Sequence, residues 1–243
     1  DIPRIQVGAE RQILEALDAF ELAADRPIVR QQDRLAHYEQ ALEQLAAQQR
    51  IYACACSRKT LDGHTRYPAT CRHLRLDCVG QAIRLKVDDH DLHFTDLIQG
   101  AQHDNLADSL GDFVLKRRDG IISYQLAVVV DDAAQGVTDV MRGADLLDNT
   151  ARQIWLGHCL GLPIPRYAHL PLAMNATGQK LSKQNLAQAL DYRQASTLIR
   201  QALLALGQPD PGTGSAAQVL QHGVHYWRLA QILPQSCLDG TYQ

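Results

Sequence analysis

Four of the chain's six cysteines lie within residues 51–78, a stretch that has no regular apolar pattern. The same stretch contains Gly63, Pro68, two histidines and several arginines, so it has few side chains with which to bury a core of its own. We therefore predict a small subdomain here that is held together by something other than a hydrophobic core.

Three of these cysteines have a spacing that suits a metal site. Cys54 and Cys56 are one residue apart, and Cys71 follows fifteen residues after Cys56. Thiolates bind Zn²⁺ well, but three of them leave a tetrahedral site one ligand short. Composition alone nominates His64 or His73 as the fourth ligand. The alternative is three reduced cysteines without a metal.

Composition excludes several classes of protein. The chain has 243 residues, of which 46% are hydrophobic, enough to bury a sizeable core in one large domain or two small ones. A net charge of −3 excludes a strongly basic protein but leaves room for a local nucleic-acid-binding surface. We see no apolar run of about 18 residues and no signal peptide, and we expect a cytoplasmic monomer with reduced cysteines.

Apolar spacing predicts two helices in the first fifty residues, each with one face in the core. The stripes are Ile13, Leu14, Leu17 and Phe20 in the first helix, and Leu35, Tyr38, Leu42 and Leu45 in the second. Asp33 is a candidate N-cap of the second helix.

Strands and helices alternate in the rest of the chain, which indicates an α/β class. Short strands are predicted at 81–87, 91–98, 113–118 and 137–141. The β-branched run 121–132 favours a strand, although its periodicity also allows a buried helix. Asp148 or Asn149 is expected to cap a helix that Gly161 closes. The last sixty residues are predicted to be helical, with a break at 209–214.

Residues 180–183 form the pattern Lys-x-Ser-Lys. When a nucleotide activates a carboxylate, pyrophosphate leaves with added negative charge, and a loop carrying two ammonium groups and a hydroxyl can stabilise that charge. Gly178 would let the loop move. Taken alone, the tetrapeptide fits a solvated polar loop better than a catalytic one.

Five blocks upstream of this loop change that assessment. They are DFVLKRRDG at 112–120, SYQLAVVVDD at 123–132, VMRGADLL at 140–147, NTARQ at 149–153 and HLPL at 169–172. In order and spacing these blocks resemble the class I glutamyl- and glutaminyl-tRNA synthetases. The resemblance implies a Rossmann-like α/β catalytic domain with a zinc-bearing insertion and a small C-terminal helical region.

Finer features resemble the glutamyl-Q tRNA(Asp) synthetase branch of that family. The chain has RGADLL at 142–147, where ordinary glutamyl-tRNA synthetases usually have Arg-Gly-Glu-Asp-His-Leu, and it also has HYWRL at 225–229. Only about sixty residues follow the lysine loop, too few for an anticodon-binding region. The branch implies activation of glutamate by ATP, with Mg²⁺ expected, and transfer of the glutamyl group to queuosine in the anticodon of tRNA(Asp).

The resemblance also implies roles for individual residues. Tyr124 and Arg142 correspond to glutamate-binding positions, and a guanidinium suits a carboxylate because it can bind in a bidentate pair. Lys183 corresponds to the lysine that contacts ATP, with Lys180 and Ser182 in the same catalytic loop. The family's zinc pattern falls on Cys54, Cys56, Tyr67 and Cys71, with a histidine in place of Tyr67 as the alternative.

The implied domain organisation has four parts. Residues 1–50 are the helical remainder of a first Rossmann half, 51–110 the zinc-bearing insertion, 111–165 the second half, and 166–243 the lysine loop and helical region. The family's ATP-binding His-x-Gly-His-like motif precedes a segment that DIPR at 1–4 resembles. We therefore expect the native protein to be longer than the sequence shown, and the fragment alone to lack part of the active site.

The expected RNA partner is tRNA(Asp) carrying queuosine. Candidate cations for contacts with its phosphates are Arg84, Lys86, Lys116, Arg117 and Arg118. Two alternatives remain at this stage: a fragment of an ordinary glutamyl-tRNA synthetase that charges tRNA(Glu), and a non-catalytic, zinc-stabilised RNA-binding paralogue.

Overall fold

The computed structural model describes residues 6–57, 59–175, 179–181, 190–235 and 237–238. The α-helices are α1 (Ala9–Ala19), α2 (Leu35–Ala47), α3 (Leu106–Ser109), α4 (Tyr124–Gln135), α5 (Leu147–Leu160), α6 (Ala195–Ala205) and α7 (Ala216–Tyr226). The strands are β1 (Ile51–Cys54), β2 (Ala82–Leu85), β3 (Leu92–Asp96), β4 (Gly100–Asp104), β5 (Phe113–Lys116), β6 (Asp139–Gly143) and β7 (Arg166–Leu170). None of the helices in these ranges combines the length and the apolar character that a membrane span requires.

The strands form two sheets. An antiparallel sheet has the order β1–β2–β5, and a mixed sheet has the order β4–β3–β7–β6. In the mixed sheet β3, β7 and β6 run parallel, while β4 is an antiparallel edge strand. Helix α5 connects the parallel pair β6 and β7, and such a βαβ unit is a building block of Rossmann-like folds. The predicted α/β class is confirmed.

One hydrophobic core joins the two sheets through helices α2, α4 and α5. Its most deeply buried side chains are Tyr38, Leu45, Leu85, Leu115, Leu126 and Leu156. Because strands from both sheets contribute to this core, the segments around the cysteine-rich stretch are packed onto the rest of the molecule.

The β-branched run 121–132 forms helix α4 over most of its length, so the preference for a strand was wrong. The Ser123 hydroxyl accepts a hydrogen bond from the Leu126 amide and caps the first turn. Gly136, at a φ of 68°, ends the helix in the left-handed conformation. These caps and the burial of Leu126 and Ala127 outweigh the β propensity of the valines, which depends strongly on structural context.

The two N-terminal helices are confirmed, but their predicted faces are only partly so. No residue of α1 is buried in the described structure; Ile13 is 59% and Leu17 40% exposed. On α2, Tyr38, Leu42 and Leu45 are buried as expected, whereas Leu35 is exposed. Apolar spacing identified the helices, but it does not specify what packs against them.

Two predicted helix caps were wrong. Asp33 lies inside a short 3-10 helix, and Arg34 occupies the N-cap position of α2 without a side-chain hydrogen bond. Another 3-10 helix leads directly into α5 at Leu147, so neither Asp148 nor Asn149 is its cap. Gly161 does close α5, at a φ of 66°.

The four predicted strands correspond to β2, β3, β5 and β6, whereas β1, β4 and β7 were missed. The helical C-terminal region and its break between α6 and α7 are confirmed. Strand β7 starts just past the predicted boundary at 165 and pairs with β6 on the other side of it. The division into four parts stays a prediction.

Helices α2 and α4 are tied together by a buried carboxylate. Asp131 accepts hydrogen bonds from the Tyr38 hydroxyl at 2.7 Å and from Arg34 Nε at 2.5 Å. Tyr38 is 1% exposed, and burial raises the pKa of its phenol above the ordinary value. The hydrogen bonds of Arg34 and Tyr38 therefore both depend on the Asp131 carboxylate.

We predict that Asp131→Ala lowers the free energy of unfolding by roughly 1–3 kcal/mol, because it leaves the Tyr38 hydroxyl and the Arg34 guanidinium without their acceptor. Urea unfolding followed by circular dichroism measures the change. Asp25→Ala removes an exposed aspartate in a loop and serves as the control, with an expected change within about 0.5 kcal/mol. Equal effects of the two substitutions would contradict the prediction.

Candidate active site and metal centre

The carboxyl ends of the parallel strands bring three polar side chains to one edge of the mixed sheet. Asp96 is the last residue of β3, Arg142 lies near the end of β6, and His169 lies near the end of β7. Arg142 and His169 are also direct partners in the β6–β7 register. Ligands of open α/β sheets bind at this edge, so it is the first place to look for a substrate site.

Asp96 and His169 form a fully buried pair. His169 Nδ1 lies 2.6 Å from Asp96 Oδ2, and the His169 amide donates to Asp96 Oδ1 at 3.1 Å. Burial raises the pKa of Asp96, but hydrogen bonds from the Gln99 amide and from His169 outweigh it, so the pKa falls below its usual value. An ionised Asp96 fixes the imidazole proton on Nδ1 and leaves Nε2 as an acceptor.

That acceptor orients Arg142. Arg142 Nε donates to His169 Nε2 at 3.0 Å. The two terminal nitrogens donate to Gln153 Oε1 at 2.8 Å and to Thr150 Oγ1 at 2.9 Å, and they make longer bonds of 3.3 Å to the Tyr124 hydroxyl and the Leu146 carbonyl. All five N–H donors of the guanidinium thus have protein acceptors.

The Arg142 guanidinium therefore does not wait for a carboxylate with two free N–H groups. Three short bonds hold the guanidinium in place, and the two bonds of 3.3 Å are the ones that an incoming carboxylate would replace most readily, since a charged acceptor binds a guanidinium more strongly than a neutral one. Tyr124 is 47% exposed, so this side of Arg142 faces solvent. The site therefore presents a fixed positive charge beside a phenolic hydroxyl at an open edge.

The lysine loop reaches the same edge. Lys180 Nζ pairs with the carboxylate of Asp145, three residues beyond Arg142. The other two residues assigned to this loop, Ser182 and Lys183, lie outside the described residues. The structure thus places Lys180 beside the end of β6.

The four predicted zinc ligands lie together in the cysteine-rich stretch. Cys56 Sγ is 3.5 Å from Cys71 Sγ, and the Tyr67 hydroxyl oxygen is 3.3 Å from Cys54 Sγ and 3.8 Å from Cys56 Sγ. Ligands around a tetrahedral zinc ion with sulfur bonds of about 2.3 Å are separated by roughly 3.5–3.8 Å. Three thiols and one phenol at these distances are compatible with such an ion. Neither His64 nor His73 joins the three sulfurs in the described part of the chain.

Arg84 supports this cluster from the neighbouring strand. Its Nε donates to Cys54 Sγ at 3.2 Å, and its guanidinium carbon lies 3.7 Å from the centre of the Tyr67 ring. Burial raises the pKa of the Cys54 thiol, but hydrogen bonds from Tyr67 and Arg84 outweigh it and lower the pKa to about 7. Cys54 is thereby prepared to bind a cation as a thiolate.

The loop before β5 is packed tightly against the same tyrosine. The Tyr67 amide donates to the Leu110 carbonyl at 2.7 Å. Gly111 has a φ of 74°, and a Cβ at this position would come within 2.6 Å of the Tyr67 carbonyl oxygen. Only glycine fits here without moving the backbone of Tyr67.

The cations proposed for RNA binding are all engaged within the protein. Arg84 is buried, so its assignment to a cationic surface was wrong. Lys116 pairs with Glu39 and Arg117 with Asp119. Lys86 and Arg118 donate to the carbonyls of Gln49 and Ala55.

Asp96 is the residue of the candidate site that sequence reasoning missed most clearly. It ends a predicted strand, but its partner His169 is 73 residues away in the chain and was recognised only as part of the HLPL block. Thr150 and Gln153, which also hold Arg142, were likewise recognised only as part of the NTARQ block. A carboxylate at the end of a predicted strand was the one available signal.

Comparison with known proteins identifies the family. Residues 1–206 match the model for the catalytic domain of class I tRNA synthetases (E and Q). The chain belongs to this family.

Its curated relatives within this synthetase family include several named glutamyl-Q tRNA(Asp) synthetase. The protein of that name from Acinetobacter baylyi is 57% identical over 242 residues, which cover 100% of this chain and 83% of the relative. The protein from Thiobacillus denitrificans is 45% identical over 96% of this chain and 81% of its own length. These relatives support the predicted branch of the class I synthetases.

A solved structure confirms the fold. A glutamate tRNA ligase from Elizabethkingia meningosepticum superposes with a TM-score of 0.78 at 21% identity. The match covers 98% of this chain and 58% of that ligase, so the chain spans little more than half the length of the solved protein.

We predict that the protein retains about one zinc ion per chain after dialysis against metal-free buffer, which removes weakly bound surface ions, and that Cys71→Ser reduces this content to near zero, because it removes one of three thiolate ligands. Elemental analysis of the dialysed protein gives the content. Cys78→Ser is the control, since Cys78 is exposed and lies outside the cluster. A wild-type protein that folds without zinc would refute the site.

We predict that Asp96→Asn raises the KM for glutamate about tenfold while the KM for ATP changes little, because a neutral partner no longer fixes the His169 proton and Arg142 loses its orientation. Glutamate-dependent exchange of pyrophosphate into ATP by the full-length protein measures both constants. The exposed Asp108→Asn should leave them unchanged. An unaltered KM for glutamate in the Asp96 variant would show that the pair does not orient Arg142.

Proposed function

We propose that this protein activates glutamate with ATP and transfers the glutamyl group to queuosine in the anticodon of tRNA(Asp). The reaction is that of the relatives named glutamyl-Q tRNA(Asp) synthetase. The observation in this chain that supports it best is the Arg142 guanidinium, held by buried side chains at the carboxyl edge of a class I synthetase sheet and open to solvent beside Tyr124.

Arg142 and Tyr124 would bind the side-chain carboxylate of glutamate. The α-carboxylate has to react with ATP, so the anchoring cation serves the substrate best on the carboxylate that does not react. On binding, that carboxylate would take over the two weak bonds of Arg142, and the Tyr124 hydroxyl would donate its own proton to it. A neutral amide replaces those bonds less well than a carboxylate does, which favours glutamate over glutamine.

In the first chemical step, an α-carboxylate oxygen of glutamate attacks the α-phosphorus of ATP. Glutamyl-adenylate forms and pyrophosphate leaves. Lys180, Ser182 and Lys183 would stabilise the charge on the departing phosphates, together with the Mg²⁺ that accompanies ATP. Because Lys180 is paired with Asp145 in this structure, the phosphates must compete with that carboxylate for the ammonium group.

In the second step, a hydroxyl of the queuosine cyclopentene-diol attacks the activated carbonyl carbon and AMP leaves. The product is an ester on a tRNA base instead of an ester on the terminal adenosine. The proposed zinc ion takes no part in either step, since four protein ligands leave no open coordination position for a reactant.

The full-length protein, labelled glutamate, ATP and queuosine-containing tRNA(Asp) test the proposal. We expect label in the tRNA that survives removal of the acceptor end, and none in tRNA(Asp) without queuosine. Label that disappears with the acceptor end would indicate an ordinary glutamyl-tRNA synthetase. No label and no pyrophosphate exchange would indicate a non-catalytic RNA-binding protein.

Arg142→Gln links that result to the site. It removes the positive charge but keeps a polar side chain of similar reach, and the loss of a charged hydrogen bond predicts a fall of about tenfold or more in kcat/KM for glutamate. Asp108→Asn again serves as the control. A normal kcat/KM for Arg142→Gln would exclude Arg142 from glutamate binding.

A further inference from the structure

The hairpin of β3 and β4 has a cluster of metal-binding side chains on its solvent face. His93 and His103 are direct partners in the antiparallel register, and their rings stack with centroids 4.6 Å apart. Asp91 lies two residues before His93, directly before the first residue of β3. Its Oδ1 is 3.3 Å from His103 Nε2. One potential ligand atom from each of the three residues lies within 4.8 Å of the other two.

The carboxylate of this cluster is held in place. Asn105 donates from its side-chain amide to Asp91 Oδ1 at 3.2 Å and to Asp89 Oδ1 at 3.1 Å. The side-chain oxygen of Asn105 is itself fixed, because it accepts hydrogen bonds from two amides of the first turn of α3. Hydrogen bonds that orient a ligating carboxylate are a regular feature of protein metal sites.

The cluster also has the access that a metal ion needs. The side chains of His103 and Asp91 are 55% and 58% exposed, and His93 is exposed as well. Two imidazoles and one carboxylate suit borderline divalent ions such as Zn²⁺, and three ligands leave coordination positions for water. Oxygen and nitrogen ligands on a tetrahedral zinc ion stand about 3.3 Å apart, which is the present separation of Asp91 and His103, and a ring nitrogen of His93 lies within 4.8 Å of both.

We propose that Asp91, His93 and His103 form a second, surface-exposed site for a divalent transition-metal ion, distinct from the cysteine cluster. The ion would bridge the two strands of the hairpin whose first strand ends at Asp96. The site is independent of the proposed glutamyl transfer, because none of its three ligands contacts Arg142 or the residues that hold it.

Zinc stoichiometry tests the proposal directly. The full-length protein is equilibrated by dialysis against micromolar free Zn²⁺, and bound zinc is measured by elemental analysis. We expect the wild type to bind one ion per chain more than the double variant His93→Gln/His103→Gln. The difference of one ion does not depend on whether the cysteine cluster also binds zinc.

Two further variants make the result specific. The double variant His37→Gln/His158→Gln removes two exposed histidines from α2 and α5 and should keep the additional ion. Asp91→Asn should weaken its binding, because the remaining amide is neutral. Equal zinc contents in the wild type and in His93→Gln/His103→Gln, or the same loss in the control, would overturn the proposal.

Thermal unfolding gives a second measurement. At a free Zn²⁺ concentration one hundred times the Kd, the wild type should melt about 5–10 °C higher than it does when this site is empty. The variant His93→Gln/His103→Gln should lack this increase while it retains the circular dichroism spectrum of the wild type, since both substituted side chains are exposed. An equal increase in both proteins would exclude the hairpin as the source of the stabilisation.

Discussion

The buried contact between Asp96 and His169 is the interaction on which the candidate active site depends. It joins the ends of β3 and β7, and it sets the tautomer that gives Arg142 an acceptor for its Nε proton. A guanidinium near a sheet edge has many accessible rotamers, and holding it in one of them costs side-chain entropy. Here that cost is met within the protein itself, by the short hydrogen bonds of Arg142 to His169, Thr150 and Gln153.

The candidate active site and the cysteine cluster are each supported by polar contacts of one arginine. At the sheet edge, a polar network buried beneath Arg142 keeps one charge in place. In the cysteine-rich stretch, three thiols and one phenol lie close together within a small apolar cluster, and Arg84 of β2 connects Cys54 to the Asp112 carbonyl. Both arrangements use an arginine as a connector between strands, and only Arg142 stays partly open to solvent.

Much of this fold could be predicted from the sequence, and the failures have physical causes. Periodicity located α2 and the strands β2, β3, β5 and β6, because their apolar residues face one core. It misassigned the valine run of α4, where the caps at Ser123 and Gly136 decide the structure locally. The sequence grouped Cys54, Cys56 and Cys71 correctly, but nothing in their spacing specified Tyr67, which came from family resemblance. The role of Asp96 needed the pairing of β3 with β7, which no local pattern encodes.

The narrow space around Gly111 limits which substitutions this position tolerates. Gly111 packs directly against the backbone of Tyr67, whose amide donates to the Leu110 carbonyl. A side chain at position 111 would therefore displace Tyr67, one member of the thiol and phenol cluster. A substitution at Gly111 is therefore expected to require a compensating change in the cysteine-rich stretch, although more than forty residues separate the two positions in the chain.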